Sequence, residues 1–274
     1  MSAVLTIANK EIHDAVRSRW LIIYAVAFAV LALALSYLGE RNLGSLGFEN
    51  FSRTTASLIN LCLLLAPLIA LSLGAGSIAG EKESGNLTYL LSQPLERWEL
   101  LTGKYAGLVA AISIATIAGF GVAGMVIAFY ATTMDVGTYL LLLGLMIALI
   151  AVMTGLGMMA SVLSSSRVQA LGVALLIWFF AVLFFDLVLI GLVSGASLEG
   201  QTMLFAVLLN PVEIVRVLAI INLEPDLEVL GPFGSYLLER FGTGGATAVL
   251  SAALAVWVIG PVAAAVYIFS DRRI

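Results

Sequence analysis

Long apolar runs separated by short polar intervals organise the whole chain. Six runs reach roughly the 20 residues that a helix needs to cross the hydrocarbon core of a bilayer. They cover 20–38, 57–79, 105–131, 138–163, 170–193 and 246–269. The pattern predicts an all-α, polytopic membrane protein with six transmembrane helices in a single transmembrane domain over 1–274. Ahead of the first run, Leu5, Ala8, Ile12, Val16 and Trp20 recur at helical spacing among Lys10, Glu11, His13, Asp14, Arg17 and Arg19. Residues 1–19 are therefore expected to form an amphipathic helix on the membrane surface. They do not read as a cleavable signal, because the charges precede any long apolar run and no cleavage site follows a short one.

Two polar intervals stand out. The first, 80–104, reads "GEKESGNLTYLLSQPLERWELLTGK" and holds Glu81, Lys82, Glu83, Glu96, Arg97, Glu99 and Lys104, in a chain with only 11% charged residues. Its first six residues form a polar break at the end of the second run. A short helical turn over "NLTYLLS" follows, and then a helix restarting with Pro94 at its first position. Leu95, Trp98, Leu101 and Tyr105 make one apolar stripe, with Glu96, Arg97 and Glu99 directed away from it. The stripe is expected to hold this helix to the protein, leaving the charged face for a cytoplasmic partner; a solvated loop is the plainer alternative.

The second interval, 195–245, is acidic: Glu199, Glu213, Glu224, Asp226, Glu228 and Glu239 face only Arg216 and Arg240. In "NPVE", Asn210 is the N-cap, Pro211 the first helical residue and Glu213 the reciprocal capping partner, which predicts a short helix to about Asn222. A second short helix, "SYLLERFG", is expected to stop at Gly242. Both helices should sit at the outer interface. Glu213 and Arg216, three residues apart, contribute only about 0.2–0.5 kcal/mol on an exposed helix. Asn210, Pro211, Glu213 and Arg216 are therefore candidates for contact with an external partner, the alternative being a cap that merely ends the outer side of the fifth run.

Composition and charge sharpen this picture. The chain is 61% hydrophobic with a mean hydropathy of +1.09, where soluble domains carry about 25% charged residues. Lys10, Arg17, Arg19, Lys82, Arg97, Lys104, Arg167, Arg272 and Arg273 fall on the side of the two termini; Arg41, Arg53, Arg216 and Arg240 fall on the other. That bias places both termini and 80–104 in the cytoplasm. The net charge of −4 argues against nucleic acid. No phosphate loop and no H-E-x-x-H motif occur, and Cys62 and His13 are each alone, so no metal site and no cofactor is expected in this chain. Met146, Met153, Met158 and Met159 carry thioethers that suit Cu(I), but Met is an ordinary packing residue and packing is the expected role. Gly76-x-x-x-Gly80 and Gly103-x-x-x-Gly107 match the close-helix pattern, which chance readily produces among 26 glycines. Asp186, inside the fifth run, costs about 2.5 kcal/mol or more unless neutral or paired. It is either a proton or conformational relay or a hydrogen-bonding group that holds the bundle in register; no basic residue elsewhere in the runs offers it a partner. No internal repeat of the kind seen in secondary carriers is visible.

The stretch "AGEKESGNLTYLLSQPLERWELLTGKYAG" resembles the hallmark of the type-2 ABC exporter permeases, with its G-E-x-E-x-G-x-L break, L-L-S-x-P-x-x-R and G-K entry to the third run. The resemblance implies a coupling helix that docks in a cleft of a separate cytoplasmic ATPase subunit, with Gly80, Glu81, Glu83, Gly85, Leu91, Pro94, Leu95, Arg97 and Trp98 as coupling residues. ATP and Mg would bind that partner, so this chain would not itself be an enzyme. It also implies an elbow helix over 1–19, a homodimer and a multi-pass protein of the cell inner membrane. Within that family, "FFDLVL" and "LLNPVEIVRVL" resemble stretches of the NosY-type permeases of nitrous oxide reductase maturation. Those work with a dedicated ATPase and a periplasmic copper-handling β-helical protein, which implies a mechanical transmitter rather than a copper channel. An exporter of an amphiphile or small molecule through a central cavity, and a structural membrane anchor, are the rival readings.

Overall fold

The computed structural model describes residues 3–41, 47–92, 95–130, 135–188, 200–223 and 230–271, and among these there is no strand. The helices are α1 (Ala3–Val16), α2 (Arg19–Arg41), α3 (Gly47–Glu83), α4 (Asn86–Leu91), α5 (Arg97–Tyr130) and α6 (Val136–Leu163). Next comes α7 (Arg167–Trp178), which passes through a π-helical turn at Phe179–Phe184 and continues to Val188. Then follow α8 (Gly200–Leu209), α9 (Pro211–Leu223) and α10 (Gly231–Asp271).

Among the described residues, five helices are long and apolar enough to cross a membrane: Ala56–Glu83, Arg97–Met125, Val136–Leu163, Arg167–Val188 and Gly231–Asp271. The pair α8 and α9, bent by 117° at its break, makes a sixth if counted as one broken span. The expected first crossing at 20–38 lies within α2, whose described apolar stretch is Arg19–Leu31.

The centre of the bundle is the α3–α6 seam. A Cβ on Gly157 would lie 2.5 Å from the Leu71 carbonyl oxygen, and one on Gly74 would lie 2.6 Å from the Thr154 carbonyl oxygen. Backbones can approach this closely only where side chains are absent, as in other tightly packed membrane helices. Farther along the seam, the Ser161 hydroxyl oxygen accepts the Ile78 and Ala79 amides at 3.0 and 2.8 Å. Met146, Met153 and Met158 are fully buried among apolar neighbours, which is the packing role expected of them. Asp135 caps α6, and the Thr138 hydroxyl and amide, with the Gly137 amide, hold its carboxyl below the usual carboxylate range.

Glycines also seat α1, which rests on α5. A Cβ on Gly103 would lie 2.8 Å from the Ile7 Cβ, and one on Gly107 would lie 2.6 Å from the Glu11 Cβ. The Gly103-x-x-x-Gly107 pattern, which the sequence offered no reason to separate from chance, is therefore a helix seat. The α1 stripe is split as a result: Ala8 and Ala15 are buried while Leu5 and Val16 remain exposed. The Gly76-x-x-x-Gly80 pattern has another use, because the Arg167 side chain lies along both glycines, 3.6 and 3.7 Å from where their Cβ atoms would stand.

The largest departure from expectation is α9. The capped helix forms where it should, but it lies inside the bundle against α10, α6 and α3, with Val212, Ile214 and Val215 fully buried. Its period of hydrophobicity identified a helix but not what would cover it. The stop at Gly242 holds: that residue takes the left-handed φ of 67° and breaks α10, a conformation that favours glycine. The acidic residues Glu199, Glu224, Asp226 and Glu228 lie outside the described residues.

Candidate functional site

Two clusters of paired charge, one at each of the polar intervals, form the candidate site. At the first, α3 ends at Glu83, Gly85 turns the chain with φ 76°, and α4 provides the short helical turn. The next helix, α5, begins at Arg97, later than Pro94-first expectation; Pro94 lies outside the described residues, and Leu95 and Glu96 precede the helix. Glu96 instead occupies the cap position. Its amide donates to the Glu99 carboxylate at 3.0 Å while its carbonyl accepts the Glu99 and Leu100 amides. This is the acidic half of a capping box. Leu87, Leu100 and Leu101 pack with Ile78, Met158, Val162, Ala265 and Phe269 as a small apolar core separate from the main one. The segment is thereby fixed to α3, α6 and α10 rather than hanging as a loop.

Within the segment, the side chains divide differently from the expected stripe. Leu101 is buried, but Trp98 is 45% exposed, with its indole N–H donating to the Glu96 carboxylate. Arg97, expected to face away, turns inward: its Nη1 donates to the Phe269 carbonyl at 3.2 Å and its guanidinium sits 6.0 Å from the Phe269 ring centroid. Tyr89 on α4 is exposed as well, at 69%. Trp98 and Tyr89, with Glu96, therefore form the outward surface. Leu91 closes α4.

Behind that surface lies Lys104, 5% exposed. Its ammonium reaches Glu11 on α1 at 2.9 Å and Glu81 on α3 at 2.8 Å. One cation thus ties three helices. Removing one partner from such a buried arrangement typically costs about 3–5 kcal/mol. Sequence reasoning did not single out Lys104 or Glu11; the usable signal was a Lys following Gly103 where α5 enters its apolar run, since a charge so placed must find partners. Glu83 and Lys82 turn toward α7. The Glu83 carboxylate accepts the Arg167 amide at 2.8 Å, and Lys82 Nζ donates to the Ser164 carbonyl at 3.3 Å. Gly80 lies beneath the Arg167 side chain.

The second cluster joins α7 to α9. Asn210 caps α9 as expected, its Oδ1 accepting the Val212 amide at 3.0 Å, with Pro211 opening the helix. Asn210 Nδ2 also donates to the Ala181 carbonyl in the π-helical turn at 2.7 Å. Glu213 does not complete the cap: its carboxylate lies 2.8 Å from Arg216 Nη1, and it is 4% exposed rather than on an open polar face. Arg216 also grips Asp186, with Nη1 to Oδ1 at 2.7 Å and Nη2 to Oδ2 at 3.0 Å. Asp186 therefore has the basic partner that reading the runs alone denied it, because Arg216 belongs to a segment assigned outside the bundle. The two-pronged geometry is the strongest form of charged hydrogen bonding. Among the described residues, no three His, Cys, Asp or Glu side chains gather in a way that could hold a metal ion.

The profile of the ABC-2 family transporter protein matches residues 5–273. The chain is 35% identical over 237 residues to a probable ABC transporter permease protein NosY of Stutzerimonas stutzeri, covering 84% of this chain and 86% of the relative. It is 36% identical over 224 residues to the protein of the same description in Pseudomonas aeruginosa, covering 80% of this chain and 82% of the relative. The chain belongs to the ABC-2 family and is a membrane-embedded, NosY-like permease subunit of an ABC transporter.

Proposed function

We propose that this permease is a mechanical transmitter. A separate cytoplasmic ATPase subunit binds the 80–104 segment, and its ATP- and Mg-dependent cycle moves that segment. The movement is delivered to the α8–α9 hairpin on the outer face. There an external copper-handling β-helical protein, working in nitrous oxide reductase maturation, receives it. Two copies of the chain form the complex in the inner membrane. Crossings are made by α2, α3, α5, α6, α7 and α10, with α8–α9 re-entering from the outside and both termini in the cytoplasm.

The observation that carries this reading is that both polar intervals are tied into the bundle by paired charge, buried Lys104 at one and half-buried Arg216 with buried Glu213 at the other. A flexible loop would not transmit displacement; a segment clamped to neighbouring helices by ion pairs would. Trp98 and Tyr89 are the exposed anchors for the ATPase subunit, aromatic residues of the kind that dominate interfaces. Gly80, Glu81, Glu83, Gly85, Leu95 and Arg97 position those anchors. At the other end Asn210, Pro211, Glu213 and Arg216 hold the hairpin whose outward surface meets the external protein, so their effect on that partner is exerted through position.

Pull-down of the tagged chain from mild detergent tests the reading. The ATPase subunit and the external protein should both co-elute, and Trp98→Ala combined with Tyr89→Ala should remove the ATPase subunit while the permease stays inserted. Full retention of the ATPase subunit by that double variant would remove the proposed docking surface. ATP-dependent movement of a small molecule into vesicles, with no effect of the external protein, would favour an exporter instead.

A further inference from the structure

We infer that α7 is the rod that carries displacement from the 80–104 segment to the α8–α9 hairpin, with Glu83 and Asp186 as the positioning residues that grip its two ends. The inference rests on the transmitter reading and specifies its moving part.

At the first end, the Glu83 carboxylate accepts the Arg167 backbone amide at 2.8 Å, beside the cap in which the Ser166 hydroxyl accepts the Gln169 amide at 3.3 Å. The amides at a helix start have no partner within the helix, and a carboxylate there also meets the positive end of the helix dipole. A residue of the coupling segment therefore completes the first turn of α7. Lys82 Nζ bonds to the Ser164 carbonyl just before it, and the Arg167 side chain lies along Gly76 and Gly80 of α3. Displacement of α3's last turns thus pulls on the start of α7.

At the other end, Asp186 is held by both prongs of Arg216, and the Ala181 carbonyl accepts Asn210 Nδ2. Both contacts are with α9 or its cap. Roughly 28 Å of helix, at about 1.5 Å per residue, separates Arg167 from Asp186, close to the hydrocarbon thickness of about 30 Å. Between the grips α7 is little enclosed: 11% of its apolar window is buried within the chain, against 61% for α3 and 56% for α6. One side of α7 rests on α3, where the Trp178 indole N–H donates to the Leu64 carbonyl at 3.0 Å, and its other sides are open within the chain, so α7 follows the last turns of α3 while its far end is gripped by α9. The π-helical turn Phe179–Phe184 lies where the α9 contacts begin, and such turns commonly mark functional positions.

The test uses the whole complex of permease, ATPase subunit and external protein in lipid nanodiscs. An environment-sensitive fluorophore is attached at Leu209→Cys, at the exposed end of α8, in a Cys62→Ala background. The wild-type rod should give an ATP-dependent emission change. Asp186→Asn should reduce that change at least fivefold, with the ATPase subunit still bound and hydrolysing within twofold of wild type, and Asp186→Glu should restore at least half of it. Glu83→Ala should reduce the change per bound ATPase subunit. The triple variant Asp186→Leu/Glu213→Gln/Arg216→Met leaves no uncompensated buried charge and so guards against misfolding of the single variant; its change should also be at least fivefold smaller. A full-sized change in Asp186→Asn or in the triple variant would overturn the rod while leaving the transmitter reading intact. Absence of any ATP-dependent change in the wild-type complex would overturn the transmitter reading itself.

Discussion

The two ends of this permease solve the same problem with different cations. Lys104 is set between Glu11 and Glu81, and Arg216 between Asp186 and Glu213. Each is one positive charge against two carboxylates. Lys104 is a compact point charge, and both of its partners come from other helices, so it works as a pin through α1, α3 and α5. Arg216 uses its planar fork for Asp186 on α7, and its second partner lies on its own helix. The Lys104 side chain is 6% exposed and the Arg216 side chain 26%. The comparison teaches that the 80–104 end is built to be rigid and the α9 end to hold one specific neighbour in one specific orientation, because only a fork fixes orientation.

The largest effect should come from pulling the pin. Lys104→Met leaves the Glu11 and Glu81 carboxylates without their cation and should destabilise the chain by about 3–5 kcal/mol, measured as a lowered unfolding temperature in detergent and loss of the monodisperse species. The triple variant Glu11→Gln/Glu81→Gln/Lys104→Met, with no charge left to compensate, should recover most of that loss. If the single variant unfolds at the wild-type temperature, Lys104 is not a pin.

Next is the α1 seat. Gly107→Ala places a Cβ 2.6 Å from the Glu11 Cβ, and overpacking of this kind costs about 1–3 kcal/mol. Proteolysis should then release α1 faster than in the wild type. Equal rates would mean that α1 is not held by α5.

At the α9 end the smaller tests apply. Asn210→Ala removes a cap and the bond to Ala181, with an expected loss of about 1 kcal/mol. Hydrogen exchange should be faster in the first turn of α9 and unchanged in α1, and a change in α1 would deny that the two ends are separately built. Trp98→Ala, at an exposed position, should change stability by less than about 0.5 kcal/mol while lowering the amount of ATPase subunit recovered with the permease.

Much of this was legible in the sequence, and the two largest failures share one cause. Apolar runs of 20 or so residues gave α3, α5, α6, α7 and the body of α10, because a bilayer imposes length directly. The cap at Asn210 and the stop at Gly242 were legible because local backbone chemistry writes them. What α9 touches was not legible: a short capped amphipathic helix has the same pattern whether it lies on the outer interface or folds back into the bundle. That single ambiguity also hid Asp186's partner, since Arg216 travelled with α9. The inward turn of Arg97 and the outward turn of Trp98 were missed for a related reason: the helix starts at Arg97 rather than Pro94, and its cap at Glu96 draws the indole outward. Gly103 and Gly107 carried a true signal that nothing in one sequence separates from chance.

Transmission across the membrane is reciprocal: if the ATPase cycle acts on the external protein through this chain, the external protein must act on nucleotide binding by the same factor. The direct measurement is the ATP affinity of the permease–ATPase complex in nanodiscs with and without saturating external protein. The account predicts a shift of about fivefold or more, the lower end of ordinary allosteric coupling, and its disappearance in Asp186→Asn. Equal affinities in a complex that demonstrably holds all three proteins would contradict it.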